Sequence, residues 1–228
     1  MKYNDVNLII MTFLWMGLSG CNSNTLKDID SNKYKTVIIG TQVWMKENLK
    51  TTRYNDGTPI PLVSDYEAWI ELTSPAFCWY NNELANKEVY GALYNWHAVS
   101  TGKLCPQGWH VPVDSEWVRL KSFLDEEGFG EDTGNKLKEA GPSHWKSPNS
   151  EATDESGFTG LPGGYRSFNG SFNYLGVSGY WWSSTEYAGT TVYLWILRHK
   201  FNSFYRYISE KTNGFSVRCI KDQPSAGQ

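Results

Sequence analysis

From Pro142 to the C-terminus the sequence carries no helical period, and this bounds the fold more tightly than any single motif does. Short runs such as "GYWWSSTEY", "TVYLWILRH", "FYRYIS" and "GFSVRCIK" follow one another between turns and loops. Val192, Leu194 and Ile196 alternate, as do Phe215, Val217 and Cys219, and a period of two marks strands with one face buried. Rings supply the bulk: 11 Trp, 14 Tyr and 10 Phe in 228 residues, with 21 Gly. Wide flat side chains between glycine turns suit a loop-rich domain containing β-strands better than a helical bundle. In "GYWWSSTEY" the adjacent Trp181 and Trp182 must point to opposite faces of a strand. One is expected in the core, the other exposed or under a loop.

Helical signals lie in the first half. "PVDSEWVRLKSFLDEEG" has Asp114 as an N-cap and Glu116 in the first turn, where the helix dipole favours it. Trp117, Leu120 and Leu124 line one face, and Gly128 stops the helix. "DTGNKLKEAG" gives a second, shorter helix. Ser64 and Glu67 have capping-box spacing for another short one, and "YGALYNWHAV" puts Ala92, Trp96 and Val99 on one helical face. "YKTVIIGTQVWMKENL" reads as a hairpin turning at Gly40-Thr41. With no internal repeat, a single domain over residues 34–222 and a tail over 223–228 are expected.

The N-terminus is organised differently. Lys2 precedes an apolar run from Leu8 to Gly17, too short for a mature membrane span and of the length of a signal-peptide core. The "LSGC" that follows resembles a bacterial lipobox, with cleavage before Cys21 and lipid attached to that cysteine. Residues 1–20 are therefore expected to be a lipoprotein signal peptide and residues 21–33, polar and ring-free, a tether. Asn22, in place of aspartate, favours the outer membrane or cell surface. Cys78, Cys105 and Cys219 then lie in an oxidising compartment, where at most one pair forms. Spacing leaves all three pairings open. A Cys105–Cys219 bridge would close a loop of more than a hundred residues, contributing roughly 4–5 kcal/mol in the chain-entropy model.

Reactive constellations are weak. "CPQGWHVPVDSEW" packs Cys105, His110, Asp114 and Glu116 together, but no second ligand pair follows, as a structural zinc site requires. It reads as scaffold: a bent entry loop, a half-bridge, a helix start, and a His110 needing only a backbone partner. His97, His144 and His199 stand apart. Cys78, between Phe77 and Trp79, sits in an apolar setting that opposes thiolate formation. Asp154, Glu155 and Glu186 could pair as hydrolytic carboxylates, as any exposed surface offers. No phosphate loop, dinucleotide fingerprint or nucleophile elbow is present. A net charge of -3 without a basic block argues against nucleic acid. What stands out is the late crowding of rings and arginines, a composition enriched at binding surfaces. Trp195, Arg198, Tyr205 and Arg206 are the expected contacts.

Six segments resemble, in order, the Fibrobacter succinogenes major paralogous domain. They are "IIGTQVWMKENLKTTRYNDGTPIP", "CWYNNELANKEVYGALYNWHAV", "CPQGWHVPVDSEWVRL", "GFTGLPGGYRS", "YWWSSTE" and "GFSVRCIKD". The likeness spans nearly everything from Tyr34 to Asp222. The "PVDSEW" helix start and closing "GFSVRC" also resemble formylglycine-generating-enzyme-like C-type lectin domains. That likeness implies an α+β, C-type-lectin-like fold: a small twisted antiparallel sheet, two main helices and long irregular loops. It further implies a Cys105–Cys219 bridge, a core Trp182 and an unpaired Cys78. It does not carry catalysis, because the oxidase's paired cysteines of the C-terminal half are reduced here to Cys219. Nor does it carry calcium-dependent sugar binding, because the lectin calcium motifs are missing. A calcium site near Asp154 and Glu155 has no motif behind it, so no cofactor is expected. The expectation is a lipid-anchored, non-catalytic domain that binds a glycan or a surface protein. The alternatives are an enzyme acting on envelope polymers and a purely structural envelope component.

Overall fold

The computed structural model describes residues 25–125, 132–149 and 151–223; the leader, Cys21 and the helix stop at Gly128 fall outside them. Strands β1 (Thr25–Lys27), β2 (Lys33–Ile39) and β3 (Gln42–Met45) come first, then helix α1 (Tyr66–Ile70) and β4 (Phe77–Cys78). Helix α2 (Asn86–Tyr90), β5 (Leu93–Asn95), α3 (Trp96–Val99) and β6 (Trp109–His110) lead to the longest helix, α4 (Asp114–Leu124), and to α5 (Thr133–Leu137). Only strands follow: β7 (Gly163–Arg166), β8 (Phe172–Leu175), β9 (Ser178–Ala188), β10 (Thr191–Arg198), β11 (Tyr205–Glu210), β12 (Gly214–Phe215) and β13 (Ile220–Lys221). They form two sheets, ordered β1-β2-β3-β13-β6 and β11-β10-β9-β7-β12-β5-β4, with β8 beside β7. All pairings are antiparallel except β7 with β9. The class is α+β, dominated by curled antiparallel sheet.

Strand β9 explains why the sequence spends so many rings. Trp181 and Trp182 are both fully buried, so of the two places expected for the second indole, exposed or under a loop, the exposed one is corrected. Trp182 enters a core with Tyr94, Trp96, Tyr180 and Phe215, and its indole N–H donates to the Tyr94 carbonyl at 2.6 Å. Trp181 enters a second core with Trp44, Trp117, Phe158 and Phe204, and donates to Asn48 Oδ1 at 2.8 Å. A strand clad on both faces reads as a continuous apolar run, and residues 194–197 of β10 are likewise buried on both sides. Each indole buries large area while its single N–H finds an acceptor, which keeps burial of the polar atom from costing about 1–3 kcal/mol.

Residues 25–33, expected as tether, belong in part to the fold. Thr25 to Lys27 pair with Lys33 to Lys35. Asp28 is buried, accepting from the Tyr34 hydroxyl at 2.6 Å and the Asn32 N–H at 2.9 Å. A polar segment gives no hydrophobic signal, yet this carboxylate–phenol pair fixes it. Helix α1 is capped by Asp65, which accepts from the Ala68 N–H at 2.8 Å, and not by Ser64. In α4 the cap is Val113, whose N–H donates to Glu116 at 2.9 Å; Asp114 sits one position inside and is used elsewhere. The helical face expected over Ala92, Trp96 and Val99 breaks because Leu93–Asn95 pairs as β5 between β4 and β12. Asn95 then caps the single turn of α3, accepting from the Ala98 N–H at 3.1 Å.

Cys105 and Cys219 form a disulfide with Cα atoms 6.0 Å apart, closing 114 residues between the loop before β6 and the last strand. Cys78 is free and buried, and burial pushes its thiol up to about 12 against the pull of Arg166. It is chemically quiet.

Candidate functional site

The face of the larger sheet that presents Leu194 and Ile196 also presents Tyr207 and Tyr205, because those residues are direct cross-strand partners. Tyr180 of β9 lies opposite Ile196 and continues the same face. The short strands β7 and β12 add Tyr165 and Phe215. The rings touch in series: Tyr174 stacks on Tyr165 at 6.0 Å, Tyr165 meets Tyr180 at 4.9 Å, and Tyr180 stacks on Phe215 at 5.3 Å. Gly164 between them runs at φ +62, and a Cβ there would stand 2.4 Å from the Asn173 carbonyl, so the close β7–β8 approach requires glycine.

Two openings share Tyr180 in their walls. One, of about 190 Å³, has Tyr165, Phe168, Tyr207, Asn213 and Phe215 among its walls. The other, of about 400 Å³, is bounded by Tyr174, Arg198, His199 and Phe201. Phe168, Tyr174, Phe201 and Tyr207 are exposed at the rim, whereas Tyr180 and Phe215 form the buried floor. Arg198 lies 5.2 Å from the Tyr207 ring centre and 6.0 Å from that of Phe201, so both rings hold its guanidinium at the mouth. Asn213 is anchored, accepting from the Phe168 N–H at 2.6 Å and donating to Ser209 Oγ at 2.6 Å, so it fixes the Phe168 loop. Burial pushes the Tyr180 hydroxyl up to about 12, and Tyr165 is raised for the same reason, so both remain neutral donors at ordinary pH.

The sequence-expected contacts divide across the sheet. Arg198 lines the groove, and Tyr205 lies on the same face beside Phe201 and Tyr207. Trp195 does not reach the surface: it is buried against Trp117 and Phe204, and its indole donates to Asp114 Oδ1 at 3.1 Å. Arg206 points to that same opposite face, donating to Asp114 Oδ2 at 2.9 Å and lying 4.6 Å from the Tyr193 ring. Asp114 thus fastens β10 and β11 to the start of α4; of the four expected contacts Trp195 is corrected to the core, and Arg206, its side chain 46% exposed, lies on the face opposite the groove. The groove residues missed by sequence reading, Tyr165, Phe168, Tyr174 and Tyr180, lie outside the late Arg-rich segment. Only the adjacency of "GGYRS" and "GYWW" in space, which the sheet order supplies, could have marked them.

The partners of the His110 ring are carboxylates and not the backbone. Its Nδ1 lies 2.6 Å from Asp222 and its Nε2 lies 2.9 Å from Glu116, and these carboxylates raise its pKa, Glu116 foremost, against partial burial. With both nitrogens held by carboxylates, neither is left to activate a nucleophile. Asp154 closes its own turn on Thr159 at 2.6 Å, Glu155 pairs with Lys136, and Glu186 pairs with Lys211 at 3.0 Å. Among the described residues no group of three or more His, Cys, Asp or Glu side chains could hold a metal ion. No helix among them is long and apolar enough to cross a membrane.

Comparison with known families returns a match to the Fibrobacter succinogenes major domain over residues 37–221. No curated protein and no solved structure matches.

Proposed function

The chain belongs to the Fibrobacter succinogenes major domain family, and from that premise we propose that it is a cell-surface lipoprotein whose aromatic groove binds an extracellular glycan strand without converting it. The observation that carries this reading is the ring series Tyr174–Tyr165–Tyr180–Phe215 beneath an open groove. The C–H face of a sugar ring packs on such flat apolar surfaces. Polar groups at the edge, here the Arg198 guanidinium and the neutral tyrosine hydroxyls, fix its orientation. Two concavities that share Tyr180 suit several residues of a strand better than one small molecule.

The anchor rests on the Leu8–Gly17 apolar run and on Cys21 within "LSGC". The C-type-lectin-like fold is part of the same proposal. Its supports are the α+β class, the disulfide from the α4 entry to the last strand, and the core position of Trp182. Catalysis on envelope polymers is the weaker reading, since the carboxylates that could pair are engaged in turns and ion pairs.

The test is a glycan array probed with and without calcium, read for wild type and a Tyr174→Ala/Tyr207→Ala variant. Binding to one glycan class, independent of calcium and lost in the variant, supports the proposal. A blank array against a retained protein partner would move the site to protein recognition. Labelling of the chain with a radioactive fatty acid, abolished by Cys21→Ala, tests the anchor.

A further inference from the structure

The aromatic groove has a charge distribution that its rings do not explain. The chain as a whole bears a net charge of -3. The walls of the two concavities that share Tyr180 nevertheless contain no aspartate or glutamate, and the larger one includes Arg198, His199 and Lys200. The tyrosines of the floor add no negative charge, since burial raises Tyr165 and Tyr180 above their ordinary range. A local excess of cations on an acidic protein belongs to that site and does not follow from composition.

Neither cation is spent inside the protein. Arg53 and Arg206 are paired with Asp30 and Asp114, and the buried Arg166 and Arg218 donate to backbone carbonyls. Arg198, half-buried, has the Tyr207 and Phe201 rings for neighbours, and its guanidinium makes no ion pair among the described residues. Exposed Lys200 makes none there either. Glu151 shares a separate hollow with Lys200, but it accepts from Asn135 Nδ2 at 3.3 Å. The turn that carries both cations is fixed. The Phe201 N–H donates to the Arg198 carbonyl at 3.2 Å. The buried Lys138 ammonium donates to the carbonyls of Phe201 at 3.1 Å and Arg198 at 3.4 Å. An ordered backbone therefore presents the guanidinium and the ammonium, which lowers the entropic cost of using them in binding.

Rings and free cations together narrow the ligand. A free inorganic anion would engage the cations and leave the rings idle, and a neutral sugar would do the reverse. A sugar unit bearing an anion uses both. Its C–H face packs on Tyr174 and Tyr180, while its anionic group takes charge-assisted hydrogen bonds from Arg198 and Lys200, all four residues lining one concavity. Resting on the reading of the groove as a glycan site, we propose that it selects acidic glycans, strands whose sugar units carry a carboxylate or a sulfate ester. Arg198 and Lys200 are the residues that set this preference.

The experiment is isothermal titration of the full chain with two matched pairs of oligosaccharides. One pair is an oligogalacturonate and its methyl ester, which keeps the backbone and removes the charge. The other is a sulfated galactan oligosaccharide and its desulfated form. Polyglutamate of similar length is the non-sugar polyanion. At least one acidic oligosaccharide should bind about tenfold or more tighter than its uncharged counterpart. The pair with the larger ratio tells carboxylate from sulfate. Salt should shrink the ratio, because exposed charges are screened. Arg198→Gln and Lys200→Gln should each narrow it several-fold and together bring it close to one. Lys200, exposed and without an ion pair, can be replaced with little effect on folding. Lys33→Gln, exposed on β2 of the other sheet, should leave the ratio unchanged. Equal binding of acidic and uncharged forms would overturn the preference while the groove remains a glycan site. So would a ratio that survives the double replacement. Polyglutamate binding as tightly as the acidic sugars would overturn it in favour of an acidic peptide. No binding of any oligosaccharide would overturn the glycan reading of the groove itself, and the preference with it.

Discussion

Trp195 and Tyr207 sit on paired strands one register position apart, and do opposite things. Trp195 fills the core against Trp117 and Phe204, whereas Tyr207 stands 43% exposed on the groove rim. Trp195→Ala should therefore cost about 3–5 kcal/mol of stability by denaturant unfolding. Tyr207→Ala should cost within about 0.5 kcal/mol and yet weaken ligand binding about tenfold. Composition marks both rings as candidates for a surface and cannot say which way each faces, because β10 is covered on both sides and its alternation is erased. His110 is a second residue whose role sequence understates. Its partners lie six and more than a hundred positions away, and the distant Asp222 has no sequence signature. Its pKa is raised above 6.5 in the folded state, so the stability it contributes is complete below pH about 6.5 and fades as pH rises through the folded value. An NMR titration should place the His110 midpoint above 6.5 and lower it in Glu116→Gln. A midpoint at or below 6.5 in the wild type would refute the clamp.

At the scale of elements, legibility follows the locality of the cause. The β2–β3 hairpin and α4 were readable because their turn and apolar face are contained in one window. Strand β1 was not, since what orders it is pairing with β2, the packing of Leu26 on the core and the bonds of Asp28 to Tyr34 and Asp30 to Thr52 and Arg53. Leu93–Asn95 misread as helix because β5 is decided by partners on β4 and β12, neither of them in the same sequence window. The disulfide joins elements that no local signal connects. Replacing Cys105 and Cys219 together by serine should lower stability by roughly 4–5 kcal/mol, as loop entropy over 114 residues implies, measured by urea unfolding. A loss below about 1 kcal/mol would mean that the β13 pairings alone hold the C-terminus. Gly179 is a sharper local test: an added Cβ would stand 2.4 Å from the Leu161 carbonyl, so Gly179→Ala should disturb the parallel pairing of β7 with β9.

For the whole molecule, the groove exists because the larger sheet places β11, β10, β9, β7 and β12 side by side in an order the chain does not follow. Family membership and the α+β class were legible from ordered segments and patterning. The groove was only half legible, because Arg198 and Tyr205 come from the Arg-rich segment and Tyr165, Tyr174 and Tyr180 from elsewhere. The central claim is that exposed rings on that one face, and not the clamp on the other, carry recognition. The most direct measurement is a glycan titration comparing wild type with Tyr174→Ala/Tyr207→Ala and with Arg206→Ala. The account predicts that the groove variant loses binding at least tenfold with its fold intact, while Arg206→Ala binds as wild type does. Binding that survives in the groove variant and disappears in Arg206→Ala would contradict it.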